Sequence, residues 1–367
     1  MKIVKLPENP SSILVVVTRR IGDVLLTTPV IRSLRLAWPE ARIEALVFAG
    51  TEGVLAGNTD LDRVITVPQR PTLLDHLKLL WRLWRSYDLA LSTMPSDRPT
   101  LYACIAGKYR VGLIMEDGKH WWKKWLLSQS VQFDNLNTHT VLMNLKLADL
   151  LSIPRCHEVV TACNEQDEAA VRKVLPFDPD MQAYAVMHLF PMYAYKAWKG
   201  EAWVELAEWL NTQGMRVVLT GGDSEDEISY VRDLVGILPQ GTVDAAGKLN
   251  LGAVGCLLSK ARAYIGPDTV VTHLAAASGT PTVALFGPSN PVKWGPWPKG
   301  YNKDSNPYTV RGTQHVNNVV LLQGEGDCVP CMEEGCERHI SSLSDCLQNL
   351  PARKAIDALR ELLKLPY

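Results

Sequence analysis

The chain reads as two successive arrays in which short apolar runs alternate with amphipathic stretches. The first run, Ile13-Leu14-Val15-Val16-Val17, is mostly β-branched and uninterrupted, the pattern of a strand buried on both faces. A turn, Thr18-Arg19-Arg20-Ile21-Gly22-Asp23, leads into a helical pattern that ends near Trp38-Pro39. Strands are predicted at residues 43–47, 64–67 and 89–92, with a long amphipathic helix over 73–86. From Ile153 to Pro179 the periodicity loosens, and Pro154, Pro176 and Pro179 punctuate a short helical stretch. A second array predicts strands at 183–189, 216–219, 242–245, 263–265 and 282–286, with helices at 201–212, 225–235, 249–258 and 270–277. Strands alternating with helices imply right-handed crossovers and a mostly parallel sheet in each half. The expected organisation is a domain over residues 1–178, a second over 179–350, and a C-terminal helix over 351–367. Two such sheets facing one another would place a cleft at their strand C-terminal ends, where doubly wound sheets bind ligands.

Composition narrows the picture without changing it. The 367 residues suit two domains, and 47% hydrophobic against 21% charged excludes a disordered or collagen-like chain. With 38 Lys and Arg against 39 Asp and Glu, the net charge of −1 argues against a general nucleic-acid binder. Lys2 and Lys5 precede an apolar run too short for a signal-peptide core. The uncharged stretch over residues 269–292 is broken by Gly279, Pro281, Gly287 and Pro288 and reads as helix, turn, strand and loop, so a soluble chain is expected. Eight cysteines without a leader point to free thiols in a reducing compartment, with Cys104, Cys156, Cys163 and Cys256 in the core.

Candidate chemistry sits at the strand-to-helix turns. Gly22 permits close backbone approach, and Asp23 can accept a proton or cap the helix that follows. Gly266-Pro267-Asp268-Thr269 precedes an alanine-rich helix whose start suits a phosphate, with Asp268 and Thr269 as ligand contacts or caps and His273 as a contact or a structural histidine. Gly221 and Gly222 open a turn toward Glu225, while Lys196 or Lys199 can neutralise a pyrophosphate. Neither half carries the G-x-G-x-x-G dinucleotide fingerprint, which disfavours an NAD enzyme.

These elements occur in a specific order. Ile21-Gly22-Asp23-Val24-Leu25-Leu26-Thr27-Thr28-Pro29, Lys196-x-Trp198-x-x-Glu201-x-Trp203, Gly221-Gly222-x-x-Glu225 and Gly266-Pro267-Asp268-Thr269-x-x-x-His273-Leu274-Ala275-Ala276, followed by Phe286-Gly287-Pro288, together resemble the motifs of the bacterial lipopolysaccharide heptosyltransferases, glycosyltransferase family 9. The resemblance spans roughly residues 13–350. It implies an α/β chain of GT-B architecture, two Rossmann-like domains, the first binding acceptor and the second nucleotide-sugar. It further implies ADP-heptose as donor, a lipid A–core oligosaccharide as acceptor and inversion at the sugar carbon. Asp23 then becomes the general base, Lys196 the counter-charge for the leaving diphosphate, and Glu225 the nucleoside contact. Asp268, Thr269 and His273 would lie around phosphate and sugar, with Asp268 kept off the phosphate by its own charge.

Two further clusters bear on ligands. Lys108, Arg110, Lys119, Lys123 and Lys124, with Trp121, Trp122 and Trp125 interleaved and Glu116 and Asp117 opposed, form a solvated basic face or an acceptor contact at an anionic membrane surface. Cys328, Cys331, Cys336 and Cys346 could enclose a structural zinc or iron, or remain thiols or disulfides; the transfer chemistry itself requires no cofactor. The expected protein is a cytoplasmic heptosyltransferase, peripheral on the inner membrane, with no nucleic-acid partner. The alternatives are transfer of another sugar, transfer to a protein, and a non-catalytic binding scaffold.

Overall fold

The computed structural model describes residues 6–115 and 119–365, so Lys2, Lys5, Glu116 and Asp117 lie outside the described residues. The chain divides into two compact units, residues 1–160 with 302–305, and residues 161–301 with 306–367.

In the N-terminal unit, strands β1 (Ser12–Val17), β2 (Arg42–Phe48), β3 (Arg63–Val67), β4 (Tyr87–Ser92), β5 (Gly107–Ile114) and β6 (Gln129–Gln132) form one sheet. Its order is β3-β2-β1-β4-β5-β6, and every neighbouring pair is parallel. The Val-rich β1 is central, and Ile13 to Val17 are fully buried, as its uninterrupted apolar run requires.

The second unit repeats the plan. Its strands are β7 (Tyr184–His188), β8 (Arg216–Thr220), β9 (Val243–Asp244), β10 (Ala263–Pro267), β11 (Thr282–Phe286), β12 (Gln314–Val316) and β13 (Val319–Gln323). They run β12-β13-β11-β10-β7-β8-β9, and only the edge hairpin β12–β13 is antiparallel. Counted from its own first strand, this unit runs 3-2-1-4-5-7-6 and shares with the first the 3-2-1-4-5 part of the Rossmann order, departing from it only at the edge hairpin. In both sheets the direction of winding reverses beside the first strand, at β1/β4 and at β7/β10. That is where open α/β sheets bind ligands.

Four expectations are corrected. The single helical pattern after β1 splits into Ile21–Leu25 and Thr28–Ala37, because Pro29 occupies the first turn of the second helix. The division of the chain falls at 160/161 rather than 178/179, because helix Glu165–Val174 packs against helix Leu251–Lys260 of the second sheet. That packing also brings Cys163, an exposed residue, within 5.2 Å (Cα–Cα) of buried Cys256 as a disulfide across 93 residues of sequence, so these two are not free thiols in the core. Residues 302–305 return to the first unit, where Asp304 pairs with Arg155 at 2.6 Å and His157 at 2.8 Å. The C-terminal helix Ala352–Leu363 is no separate element: Ala355, Ile356 and Leu359 join the core of the second unit.

Candidate functional site

The C-terminal unit gathers its motif residues at the end of β7 and β10. The loop after β7 reaches a short turn, Ala194–Lys196, held from below by two core tryptophans. Trp198 and Trp203 are buried edge to face at 4.7 Å between ring centroids, and the Trp198 indole N–H donates to the Leu350 carbonyl at 2.8 Å. The tryptophans of the Lys196 motif are therefore anchors. The lysine itself is what projects toward β10.

Lys196 Nζ sits 2.5 Å from Asp268 Oδ2 and 3.2 Å from the Asp268 carbonyl. Ser289 Oγ donates to the same Oδ2 at 2.7 Å, and His273 Nε2 lies 3.9 Å from Oδ1. Burial pushes the Asp268 carboxyl up, but Lys196, His273 and the Ser289 hydroxyl outweigh it and hold it below its ordinary value. His273 is pushed down to about 4, by burial first and then by the Lys196 charge, against the pull of Asp268. It is therefore a neutral imidazole near pH 7, and its buried Nδ1 has no hydrogen-bond partner among the described residues. An ammonium carries three donors, and these contacts with Asp268 occupy two.

The helix Val270–Ser278 begins beside this network. Thr269 is its N-cap residue but supplies no side-chain cap, and the Asp268 carboxylate is already committed to Lys196 and Ser289. The capping role open to both residues in the sequence is not the one they take. The first backbone N–H groups of the helix receive no side-chain cap, which suits an anion. Gly266 has a packing reason as well: a Cβ there would lie 2.0 Å from the Tyr264 hydroxyl, which pairs with Thr272 Oγ1 at 2.8 Å beneath the turn.

At the end of β8, Glu225 is exposed in the first turn of helix Glu225–Val235. The turn is instead closed by Glu227, whose Oε2 accepts the Gly222 N–H while its own N–H donates to Ser224 Oγ. Burial raises the Glu227 carboxyl. Sequence reasoning missed this residue, although Ser224-x-x-Glu227 carries the capping-box spacing. It also missed Ser289, for which the only signal was a Gly-Pro-Ser-Asn turn directly after β11.

In the N-terminal unit, Asp23 is the third residue of helix Ile21–Leu25 rather than its cap; the N-cap position belongs to Arg20. Asp23 is 5% exposed and lies 3.3 Å from Arg19 Nε. Apart from its chain neighbours and its own helix backbone, no atom of the described residues comes within 4 Å of where a Cβ on Gly22 would sit, so packing does not demand glycine there.

The basic run is dispersed. Lys108 pairs with Asp88 at 3.0 Å at the N-terminal edge of β5, and Arg110 lies farther along the same strand, partly buried; both are away from the strand ends beside Asp23. Lys123 is fully buried, contrary to a solvated or ligand-contacting reading: its ammonium donates to the Pro95 carbonyl and pairs with Asp97 at 2.8 Å, bracing the loop after β4. Lys119 and Lys124 are exposed.

The cysteine loop touches the Lys196 turn and the turn after β11. Ala194 N–H donates to the Ile340 carbonyl, Ser344 Oγ to the Tyr195 carbonyl at 2.7 Å, and Gln348 Nε2 to the Ala197 carbonyl at 2.8 Å. Met332 N–H donates to the Pro288 carbonyl, next to Ser289. Cys346 is pushed up to about 11 by burial and by the neighbouring Cys331, Cys336 and Cys328 thiols. Among the described residues no group of three or more His, Cys, Asp or Glu is arranged to hold a metal ion. No described helix is long and apolar enough to cross a membrane.

Comparison with known proteins places this geometry. A model of glycosyltransferase family 9 (heptosyltransferase) matches residues 78–319. Lipopolysaccharide heptosyltransferase 3 of Escherichia coli strain K12 is 27% identical over 290 residues, 75% of this chain and 82% of that protein. Among solved structures, a family 9 glycosyltransferase from Veillonella parvula superposes with a TM-score of 0.78 at 19% identity, covering 98% of this chain and 99% of that one. The E. coli heptosyltransferase WaaC with ADP superposes with a TM-score of 0.70, also at 19% identity, over 96% and 99%. The fold these structures share with the chain is GT-B.

Proposed function

The chain belongs to glycosyltransferase family 9, the heptosyltransferases, and as a glycosyltransferase of that family we propose that it moves heptose from ADP-heptose to a lipid A–core oligosaccharide with inversion. The observation that carries this reading is the Lys196–Asp268–Ser289 network, centred on the buried Asp268 carboxylate, beside a helix start that no side chain caps. A leaving diphosphate needs positive charge and N–H donors, and this end of the β7/β10 junction offers both without a metal. The remaining Lys196 proton and the first N–H groups of helix Val270–Ser278 meet the diphosphate. Asp268 holds the ammonium in place and stays off the anion, which it would repel. Neutral His273 turns its unsatisfied nitrogen to the donor, and exposed Glu225 contacts the nucleoside across the Gly221-Gly222 turn.

In the N-terminal unit Asp23 takes the proton of the acceptor hydroxyl as that oxygen bonds to the anomeric carbon and the bond to the diphosphate breaks. Open space at Gly22 supports acceptor approach to this turn. Lys119 and Lys124 remain acceptor-side contacts in this reading, working from the periplasm-distal face of the inner membrane. Purified protein screened with ADP-, GDP- and UDP-sugars against core acceptors of defined truncation tests it. Transfer from ADP-heptose alone is expected; faster transfer from another nucleotide-sugar, or none from any, overturns it.

A further inference from the structure

Helix Leu73–Leu83 of the N-terminal unit has a surface its fold does not use. His76, Leu79, Leu80 and Leu83 turn inward, with Leu79 and Leu80 packed on the core and the His76 ring 6.4 Å from Tyr102 of helix Asp97–Ala106. The spacing i, i+3, i+4, i+7 is all that one buried face requires. Yet Leu73, Leu77, Trp81 and Trp84 recur at i, i+4, i+8 and i+11 on a second face, and all are exposed, Trp81 to 86%. Leu74 widens that face.

The apolar face continues onto neighbouring elements. Helix Asp97–Ala106 packs against this helix and, through Cys104 Sγ to the Leu126 carbonyl at 3.5 Å, against the segment after β5. Three successive crossovers thus lie side by side, and they expose Leu101, Trp121 and Trp125 as well. Exposed tryptophan and leucine concentrated on one layer of packed elements mark an interaction site.

Charge selects the occupant. Arg70, Lys78, Arg82 and Arg85 border the apolar face, and none of them forms an ion pair among the described residues. The acidic groups nearby are already engaged: Asp75 in a capping box with Thr72, and Asp97 with Lys123. We propose that this helical layer docks on an anionic phospholipid surface, lying in the interface with its tryptophans and leucines among the acyl-chain boundary and its arginines and lysine on the headgroups. Amphipathic helices with tryptophan on one face and basic residues at its edge bind membranes in this way, without spanning them.

The inference deepens the reading of a lipid-anchored acceptor, and its test uses vesicles that carry no saccharide, so a failure to bind lipid and a failure to transfer heptose are separate results. The full chain is floated with vesicles of phosphatidylcholine alone and with vesicles in which phosphatidylglycerol replaces part of it. Binding is expected only to the anionic vesicles and should weaken as salt is added. Leu77→Glu with Trp81→Glu, and separately Lys78→Glu with Arg82→Glu, should each lower partitioning by roughly tenfold or more. Both pairs are exposed, so unchanged thermal unfolding and unchanged transfer to a deacylated acceptor should accompany the loss. Flotation of both variants like the unaltered chain, or absence of binding to anionic vesicles, overturns the proposal. So does a dimer in analytical ultracentrifugation that Trp81→Glu dissociates while vesicle binding stays unaffected.

Discussion

The two units share the strand order 3-2-1-4-5 and present different residues at the same place in it. In the turn after β1 stands Asp23, a buried carboxylate 3.3 Å from the half-exposed Arg19. At the end of β7 and β10 stands Lys196, an ammonium fixed by Asp268, with Ser289 and His273 completing a set around that buried carboxylate. The topology decides where a ligand can sit, because only there do loops diverge from a continuous sheet. The residues of the loop decide what that place does. In the proposed reading the first place must be able to gain a proton, whereas the second must stay charged and in position, as the Lys196 contacts with Asp268 hold it.

The comparison breaks most readily at Asp23. Asp23→Asn should lower turnover by about 10²–10⁴-fold while leaving ADP binding and thermal unfolding close to unchanged. Near-normal turnover in the folded variant would remove the base from the N-terminal unit and the contrast with it. Lys196→Ala tests the locked side. It strands the Asp268 carboxylate in a buried site, for which the usual cost is about 3–5 kcal/mol, and calorimetry should also record weaker ADP binding than in Lys199→Ala. Equal, small effects of the two substitutions would make Lys196 an ordinary surface lysine.

Acid should distinguish the units next. His188 and His273 are both pushed down to about 4, chiefly by burial, and both belong to the C-terminal unit. Unfolding frees them to titrate near 6.5, so between about 4 and 6.5 the unfolded chain binds more protons than the folded one. Stability is therefore expected to fall as pH drops from 6.5 toward 4 and to receive no further loss from these groups below that. Denaturant melts across this range, repeated with His188→Asn, should show a shallower slope in the variant. An unchanged slope would remove His188 from the acid response.

The smallest expected effect concerns the cysteine loop, which hydrogen-bonds to both the Lys196 turn and the Pro288 turn. Exposed Cys328 and Cys336 should alkylate at neutral pH well before Cys346, which is held up to about 11. Modification of Cys346 should then weaken ADP binding severalfold by loosening the Lys196 turn. Joint protection of all four thiols, released by a chelator, would instead identify them as metal ligands.

Much of this was written in the order of residues. Uninterrupted Val and Ile runs declare strands buried on both faces, and helix 225–235 ends where its pattern ends. The order of motifs places Asp23, Lys196 and Asp268 at strand-to-helix turns, with His273 in the helix that follows Asp268. Periodicity did not reveal β5 or β6, because Gly107-Lys108-Tyr109-Arg110-Val111 mixes charges into a strand and reads as a basic surface run. The motifs already singled out Lys196 over Lys199, but only the folded chain shows that its ammonium meets the Asp268 carboxylate, because that contact joins groups 72 residues apart in sequence. Burial of Lys123, the Cys163–Cys256 bridge and the part played by Ser289 were hidden for the same reason. A local sequence determines which backbone conformations and which apolar faces are favourable, since these depend on neighbours a few residues apart. Which charged groups meet, and which lose their water, is determined by packing between distant elements, and only the tertiary structure decides it.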